Sequence, residues 1–216
     1  MLEIRQLINN PASSNCYVIY DKKKGCDCLI VDPGSEDSSS LFELLKTESL
    51  NPEYIILSHE HFDHCWGVND IRNHFPSVKL ICSSICSFAI QDKKKNHSVF
   101  YQQPGFEVAS ADIILEDISW QFDWNDYKLS FFSVQGHTAS GVVFVINRNL
   151  FTGDELIKDI KTVTKLKSGS KEKLHDSILF FESLKGSGFS VYPGHGEMFE
   201  LDDYDLNRAI GLLKQG

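Results

Sequence analysis

The stretch from Tyr54 to His64 limits what this chain can become more than any other: an apolar run, Tyr54-Ile55-Ile56-Leu57, opens directly into Ser58-His59-Glu60-His61-Phe62-Asp63-His64. Four apolar residues in a row predict a strand buried on both faces, as in a parallel sheet. Ligand-type side chains at the C-terminal end of such a strand lie at the sheet edge where open α/β folds place their sites. His59 and His61 are two residues apart, so in extended chain they point the same way. A turn into a helix after them brings Asp63 and His64 round to a second direction. The spacing therefore offers two neighbouring ligand sets. Imidazole with carboxylate suits zinc, iron or manganese, whereas calcium takes oxygen ligands.

The rest of the chain alternates strand and helix patterns. Leu2–Leu7, Cys16–Tyr20 and Asp27–Val31 read as strands, the last two joined in a hairpin through Lys22-Lys23-Lys24-Gly25. Ser40–Glu48 has the spacing of an amphipathic helix, with apolar residues at 41, 42, 44 and 45. After the motif we expect a helix from His64 to His74, a strand Val78–Cys82 and a helix from Ser83 to Asp92. Residues 93–112 read as an irregular, exposed excursion. Strands follow at Ile113–Leu115, Tyr127–Val134, Val142–Ile146 and Leu150–Thr152, then a polar, basic segment over 153–170. A helix Lys171–Leu184, a strand Ser190–Tyr192 and a helix near Asp205–Leu213 complete the chain. Strands interrupted by helices in both halves predict an α/β (α+β) architecture of two packed sheets with helices outside, a four-layer αββα sandwich in one domain over residues 1–216.

Three more strand patterns end in a ligand-type residue: Phe131–Val134 before Gly136-His137-Thr138, Leu150-Phe151-Thr152 before Gly153-Asp154, and Val191-Tyr192 before Pro193-Gly194-His195-Gly196. The glycines allow sharp turns beside each ligand. Five of the eight histidines then stand at strand ends, which leaves His74, His97 and His175 as ordinary surface or packing residues.

Composition removes several function classes. The net charge of −9 disfavours a nucleic-acid partner, since phosphate binding relies on a basic surface. No apolar run reaches the roughly 18 residues of a membrane span, and Met1-Leu2-Glu3-Ile4-Arg5 lacks the pattern of a signal peptide. The six cysteines, at 16, 26, 28, 65, 82 and 86, include no CxxC pair. A disulfide framework and a cysteine-built zinc site are therefore not expected, and a reducing cytoplasm is the expected location. Cys65, directly after His64, reads as a small buried residue.

His59-x-His61-x-Asp63-His64, Gly136-His137-Thr138, Gly153-Asp154 and Pro193-Gly194-His195-Gly196 resemble the motif series of the metallo-β-lactamase-fold hydrolases, and most of all the glyoxalase II-like (hydroxyacylglutathione hydrolase-like) branch. Asn15-Cys16-Tyr17 and Val31-Asp32-Pro33-Gly34 are similar to that branch's early motifs. The resemblance implies two divalent metal ions, zinc by preference with iron or manganese as alternatives. It implies that His59, His61 and His137 hold one metal, that Asp63, His64 and His195 hold the other, and that Asp154 bridges them. Asp32 would support a ligand or the motif loop by hydrogen bonds. The implied reaction is attack of a metal-bridging hydroxide on the carbonyl of a small anionic acyl-thiol or ester, with Asp63 and Asp154 as the catalytic carboxylates.

The chain also departs from that branch. Only about twenty residues follow His195, so the C-terminal helical domain that supplies glutathione contacts has no counterpart. Ala139-Ser140-Gly141 replaces the usual Pro and Gly after Thr138, and Glu155-Leu156-Ile157 stands where relatives often carry Thr-Leu-Phe. A β-lactamase is disfavoured by a carboxylate at Asp154, a lactonase by the absence of a Tyr shortly after it, a nuclease by the overall charge. The main rival is a persulfide dioxygenase, whose single iron would use His59, His137 and Asp154. A non-catalytic metal-binding module is a third class. Residues 157–170 carry four lysines against one aspartate, and we expect Lys161, Lys165 and Lys167 to include the group that receives a substrate carboxylate.

Overall fold

Strand order follows chain order in both sheets of the computed structural model, which describes residues 1–116 and 119–211. The chain divides into two compact units, Met1–Leu115 and Glu116–Gly216, each holding one six-stranded sheet. The expected α/β class with two sheets is therefore what the structure has.

In the first unit, β1 (Glu3–Ile8), β2 (Asn15–Tyr20) and β3 (Asp27–Val31) run antiparallel, and β4 (Asn51–Ile56), β5 (Lys79–Ser83) and β6 (Ile113–Leu115) then add on parallel. Parallel pairs need crossovers, and helices supply them: α1 (Ser39–Glu48), α2 (Phe62–Cys65), α3 (Val68–His74), α4 (Ser84–Ala89) and α5 (Ser98–Tyr101). Alternate strand residues Val18, Tyr20, Ile30, Ile55 and Leu80 pack with Leu41 and Leu45 of α1 and Val68 and Ile71 of α3. Each such fully buried aliphatic side chain stabilises the fold by about 1.5–3 kcal/mol. The alternate face, with Ile19, Leu29, Ile56 and Ile81, is equally buried. This is why β2 to β5 read as continuous apolar runs.

The second unit holds β7 (Ser119–Trp124), β8 (Tyr127–Ser133), β9 (Val142–Ile146), β10 (Asn149–Gly153), β11 (Ser190–Pro193) and β12 (Phe199–Glu200). All neighbours are antiparallel except β10 and β11, which α6 (Lys171–Leu184) connects. Ser170 caps α6 by accepting from the Lys173 N–H at 3.2 Å. Leu174, Ile178 and Phe181 of α6 pack with Val143, Leu150 and Val191.

Four local expectations need correction. The helix expected over His64–His74 is two helices, α2 and α3. An unbroken helix would bond the Gly67 N–H to the Asp63 carbonyl. Instead Ser14 Oγ donates to that carbonyl, and the Gly67 N–H goes to the Pro33 carbonyl at 2.8 Å. The helix expected over Ser83–Asp92 ends at Ala89. Residues 93–112 are not simply an exposed excursion: they include α5, and Asn96, Ser98 and Val108 are buried. The helix near Asp205–Leu213 is a 3-10 turn, Leu206–Arg208, started by the Asp205 side chain accepting from the Asn207 N–H; residues 212–216 lie outside the described residues. Two strands are absent from the sequence reading: the two-residue β12, and β7, although Trp120, Phe122 and Trp124 alternate with polar residues and the Asn125-Asp126 turn folds it onto β8.

Candidate metal centre

In the first unit the candidate ligands begin three residues beyond β4. His59, His61 and His64 are all buried, an unusual density of imidazoles for a protein interior. His59 Nε2 and His61 Nδ1 are 3.1 Å apart, and the ring of His64 lies 4.2 Å from that of His59, centroid to centroid. Asp63 Oδ2 stands 3.8 Å from His64 Nε2.

Asp32 organises this loop from the end of β3. Its Oδ1 accepts from the Ser58 N–H at 2.7 Å, and its Oδ2 accepts from Ser58 Oγ at 2.6 Å. The same Oδ2 is 3.1 Å from His64 Nδ1, and Ser58 Oγ is 2.9 Å from His59 Nδ1. These contacts assign tautomers. A carboxylate only accepts, so His64 Nδ1 carries its hydrogen. Ser58 has given its one proton to Asp32, so His59 Nδ1 must donate to it. In their neutral form both imidazoles then present Nε2 as a lone pair. The Asp32-Pro33-Gly34 turn also packs against the motif backbone, because a Cβ at Gly34 would overlap the Asp63 carbonyl.

In the second unit the candidate ligands stand past three strand ends. Asp154 follows β10 directly, His195 lies two residues beyond β11, and His137 lies four beyond β8. One oxygen of Asp154, Oδ2, is 3.6 Å from His137 Nε2 and 3.5 Å from His195 Nε2. His137 Nδ1 lies 2.9 Å from the Val163 carbonyl, an acceptor only, so this imidazole too presents Nε2 as a lone pair. The His137 N–H donates to Glu155 Oε2 at 2.9 Å. Burial pushes the Glu155 carboxyl up to about 7, against the pull of that N–H bond.

The donor set fits a transition metal. Ligands on a tetrahedral ion with bonds of 2.0–2.2 Å stand roughly 3.3–3.6 Å from one another. The spacings around Asp154 Oδ2, 3.5 and 3.6 Å, fall in that range, and the His59–His61 pair, at 3.1 Å, is slightly shorter. A nitrogen lone pair facing a carboxylate oxygen is an arrangement that a shared cation stabilises.

Of the other residues singled out in the sequence, Lys161, Lys165 and Lys167 are exposed, on the segment whose Val163 carbonyl meets His137. All six cysteines are free, and Cys65 is fully buried with Sγ directed to the Glu60 carbonyl at 3.5 Å. Sequence reasoning gave Ser58 and Glu155 no role; the available signal for the second was an acid directly after Asp154, where the family often carries Thr. It also set aside His97, whose ring stacks on that of His61 at 4.7 Å.

The metallo-beta-lactamase superfamily matches residues 9–195, a span that runs through both units. The hydroxyacylglutathione hydrolase of Pectobacterium atrosepticum is 27% identical over 172 residues, 80% of this chain and 59% of that enzyme. The chain thus spans less than two thirds of that relative. The crystal structure of BLEG-1, a B3 metallo-beta-lactamase, matches with a TM-score of 0.83 and 28% identity, over 92% of this chain and 94% of that one. TTHA1623 in a di-iron-bound form shares the fold at a TM-score of 0.75 and 20% identity, over 91% and 94% of the two chains. With two mixed sheets and a match over most of its length, this chain belongs to the metallo-beta-lactamase superfamily.

Proposed function

We propose that this superfamily hydrolase is a dinuclear thioesterase of the glyoxalase II type, acting as one domain on a small anionic acyl-thiol. The reading assigns His59, His61 and His137 to one divalent metal, Asp63, His64 and His195 to a second, and Asp154 to both, with zinc as the first choice and iron or manganese next. The observation that carries it is the set of three imidazoles, His59, His64 and His137, whose Nδ1 atoms are engaged by Ser58, Asp32 and the Val163 carbonyl, so that each offers Nε2. The name of the Pectobacterium enzyme supports the thioester, and the di-iron form of TTHA1623 supports two metals.

Metals bound there would supply a Lewis acid for the carbonyl oxygen and a water acidic enough to attack at neutral pH. The chain's own residues supply the rest. Ser58 and Asp32 hold two ligands in one tautomer and orientation, which saves reorganisation when the site is loaded. Asp154 places a negative charge between His137 and His195. Lys161, Lys165 and Lys167 give an acidic protein a local positive segment, which favours an anionic substrate. Free cysteines throughout accord with a reducing, cytoplasmic setting.

The test is metal content per chain, measured beside turnover of thioesters, a β-lactam and a persulfide. Two metals with thioester cleavage is the expected result, and Asp154→Ala should lose one metal and nearly all activity while keeping its circular dichroism. Single Lys→Ala changes at 161, 165 and 167 should raise KM for a carboxylate-bearing thioester more than for a neutral one. β-Lactam cleavage without thioester cleavage would move the chain towards the BLEG-1 activity. One iron with persulfide-dependent oxygen uptake would replace hydrolysis by oxygenation.

A further inference from the structure

The α5 turn carries aromatic side chains onto the ligand motif itself. His97 stacks on His61 with ring centroids 4.7 Å apart, and Phe100 follows at 6.2 Å from His97. On the other side of the turn, Tyr101 stacks on Phe62 at 4.7 Å and meets Trp66 edge-on at 6.0 Å. Two ring groups thus meet the motif at consecutive residues, His97 with Phe100 at His61 and Tyr101 at Phe62, the first of these being a proposed metal ligand. Their outer members face water: Phe100 is 75% exposed and Tyr101 51%. Exposed aromatic rings gathered in one place, rather than scattered, mark a binding surface.

The turn is built to hold this surface. His97 has a left-handed backbone, φ 67°, which a residue other than glycine adopts only when its surroundings enforce it. The enforcement comes from two buried polar residues that flank it. Asn96 donates from Nδ2 to the Phe106 carbonyl at 2.9 Å, and its Oδ1 accepts from the Ser98 N–H at 2.9 Å. Ser98 Oγ in turn accepts from the Phe106 N–H at 2.9 Å. Gly105 lies so close to Val99 that a Cβ there would stand 2.8 Å from its nitrogen. Buried polar groups are spent here on fixing the direction of a ring that is not itself part of the core.

We propose that His97, Phe100 and Tyr101, with Phe62, form the wall that receives the acyl group of the substrate, and that it selects an apolar, planar acyl group such as an arylacetyl. This rests on the thioesterase reading and deepens it: it names the part of the substrate that the α5 wall would hold. Planar groups stack on such rings in offset or edge-to-face geometry, and small acyl groups such as acetyl gain little from them.

The experiment uses the metal-loaded protein and the double variant Phe100→Ser, Tyr101→Ser, whose exposed sites should leave fold and metal content at wild-type values. Phenylacetyl and acetyl thioesters of one thiol are compared. The expected result is that the ratio of their kcat/KM values falls at least fivefold in the variant, through KM of the phenylacetyl substrate. A ratio that keeps its wild-type value overturns the proposal. Phenylacetate binding, followed by tryptophan fluorescence with Trp66→Phe as the control for the reporting ring, gives a readout that does not depend on turnover. If the wild type cleaves no thioester, the thioesterase reading fails and this titration decides the wall. Saturable quenching that weakens at least fivefold in the double variant supports it; no saturable quenching, or equal affinity in both proteins, overturns it.

Discussion

The main-chain N–H of His137 donates to the buried side chain of Glu155, with Oε2 accepting at 2.9 Å. The same residue's main-chain carbonyl accepts from Thr162 Oγ1 at 2.9 Å, one residue before the Val163 carbonyl that meets His137 Nδ1. Glu155 thus ties the His137 loop to the segment that orients its ring. Glu155→Ala leaves the His137 N–H buried without an acceptor, a loss of about 1–3 kcal/mol. Denaturant unfolding should show it, and competition against a chelator should show metal affinity down by roughly 10–100-fold. Glu155→Gln keeps an amide oxygen for the N–H and should recover most of both.

Gly34 should tolerate no side chain. Its Cβ would occupy the space of the Asp63 carbonyl, so Gly34→Ala must push the β3 turn away from the ligand loop. Overpacking of this kind costs about 1–3 kcal/mol. A lowered melting temperature together with weaker metal uptake is the expected pair of results. A lowered melting temperature with unchanged uptake would separate the turn from the ligands.

Cys26 is exposed, whereas Cys16, Cys28, Cys65, Cys82 and Cys86 are buried. Burial pushes the thiols of Cys16, Cys28, Cys65 and Cys86 well above the ordinary cysteine range. Thiolate is the reactive form, so iodoacetamide should label Cys26 first in native protein and the others only on unfolding. Mass spectrometry of labelled peptides reads this directly. Cys65→Ser should leave metal content unchanged.

Asp112 gives a pH signature. Partial burial pushes its carboxyl up, but the Leu80 N–H and the Arg72 guanidinium outweigh this and hold it below its ordinary value of 3.8. A carboxyl depressed in the folded state stabilises above its unfolded pKa, and that contribution is lost as pH falls through the folded value. Asp112→Asn should therefore be less stable than wild type by about 1 kcal/mol at neutral pH, since the ion pair is partly exposed. The gap should close on acidification below 3.8, as thermal melts along a pH series would show.

Much of this was legible because strand ends advertise themselves. An apolar run followed by a polar or metal-binding residue located His59, Asp154 and His195, and the structure puts them just past β4, β10 and β11. Side-chain periodicity also located α1 and α6 to within a residue. What sequence could not show were bonds made to distant partners. The apolar spacing runs through Gly67 without a break, yet the helix stops because Ser14 and Pro33, both remote in sequence, take its two backbone partners. Ser58 looks like a neutral spacer until Asp32 claims its hydroxyl. His97 reads in the sequence as a surface or packing residue, and its stacking on His61 depends on a left-handed turn that tertiary contacts enforce.

Chain-order sheets also bear on how the protein is made. Each sheet is complete within its own unit and borrows no strand from the other, so the first can assemble while the second is still being synthesised. At about 5–20 residues per second, the second unit takes roughly 5–20 s to follow. In the course of that interval His137, Asp154 and His195 are added one after another to a chain that already carries His59, His61, Asp63 and His64. On the proposed reading, the half that supplies four of the seven metal ligands is the half that is translated first.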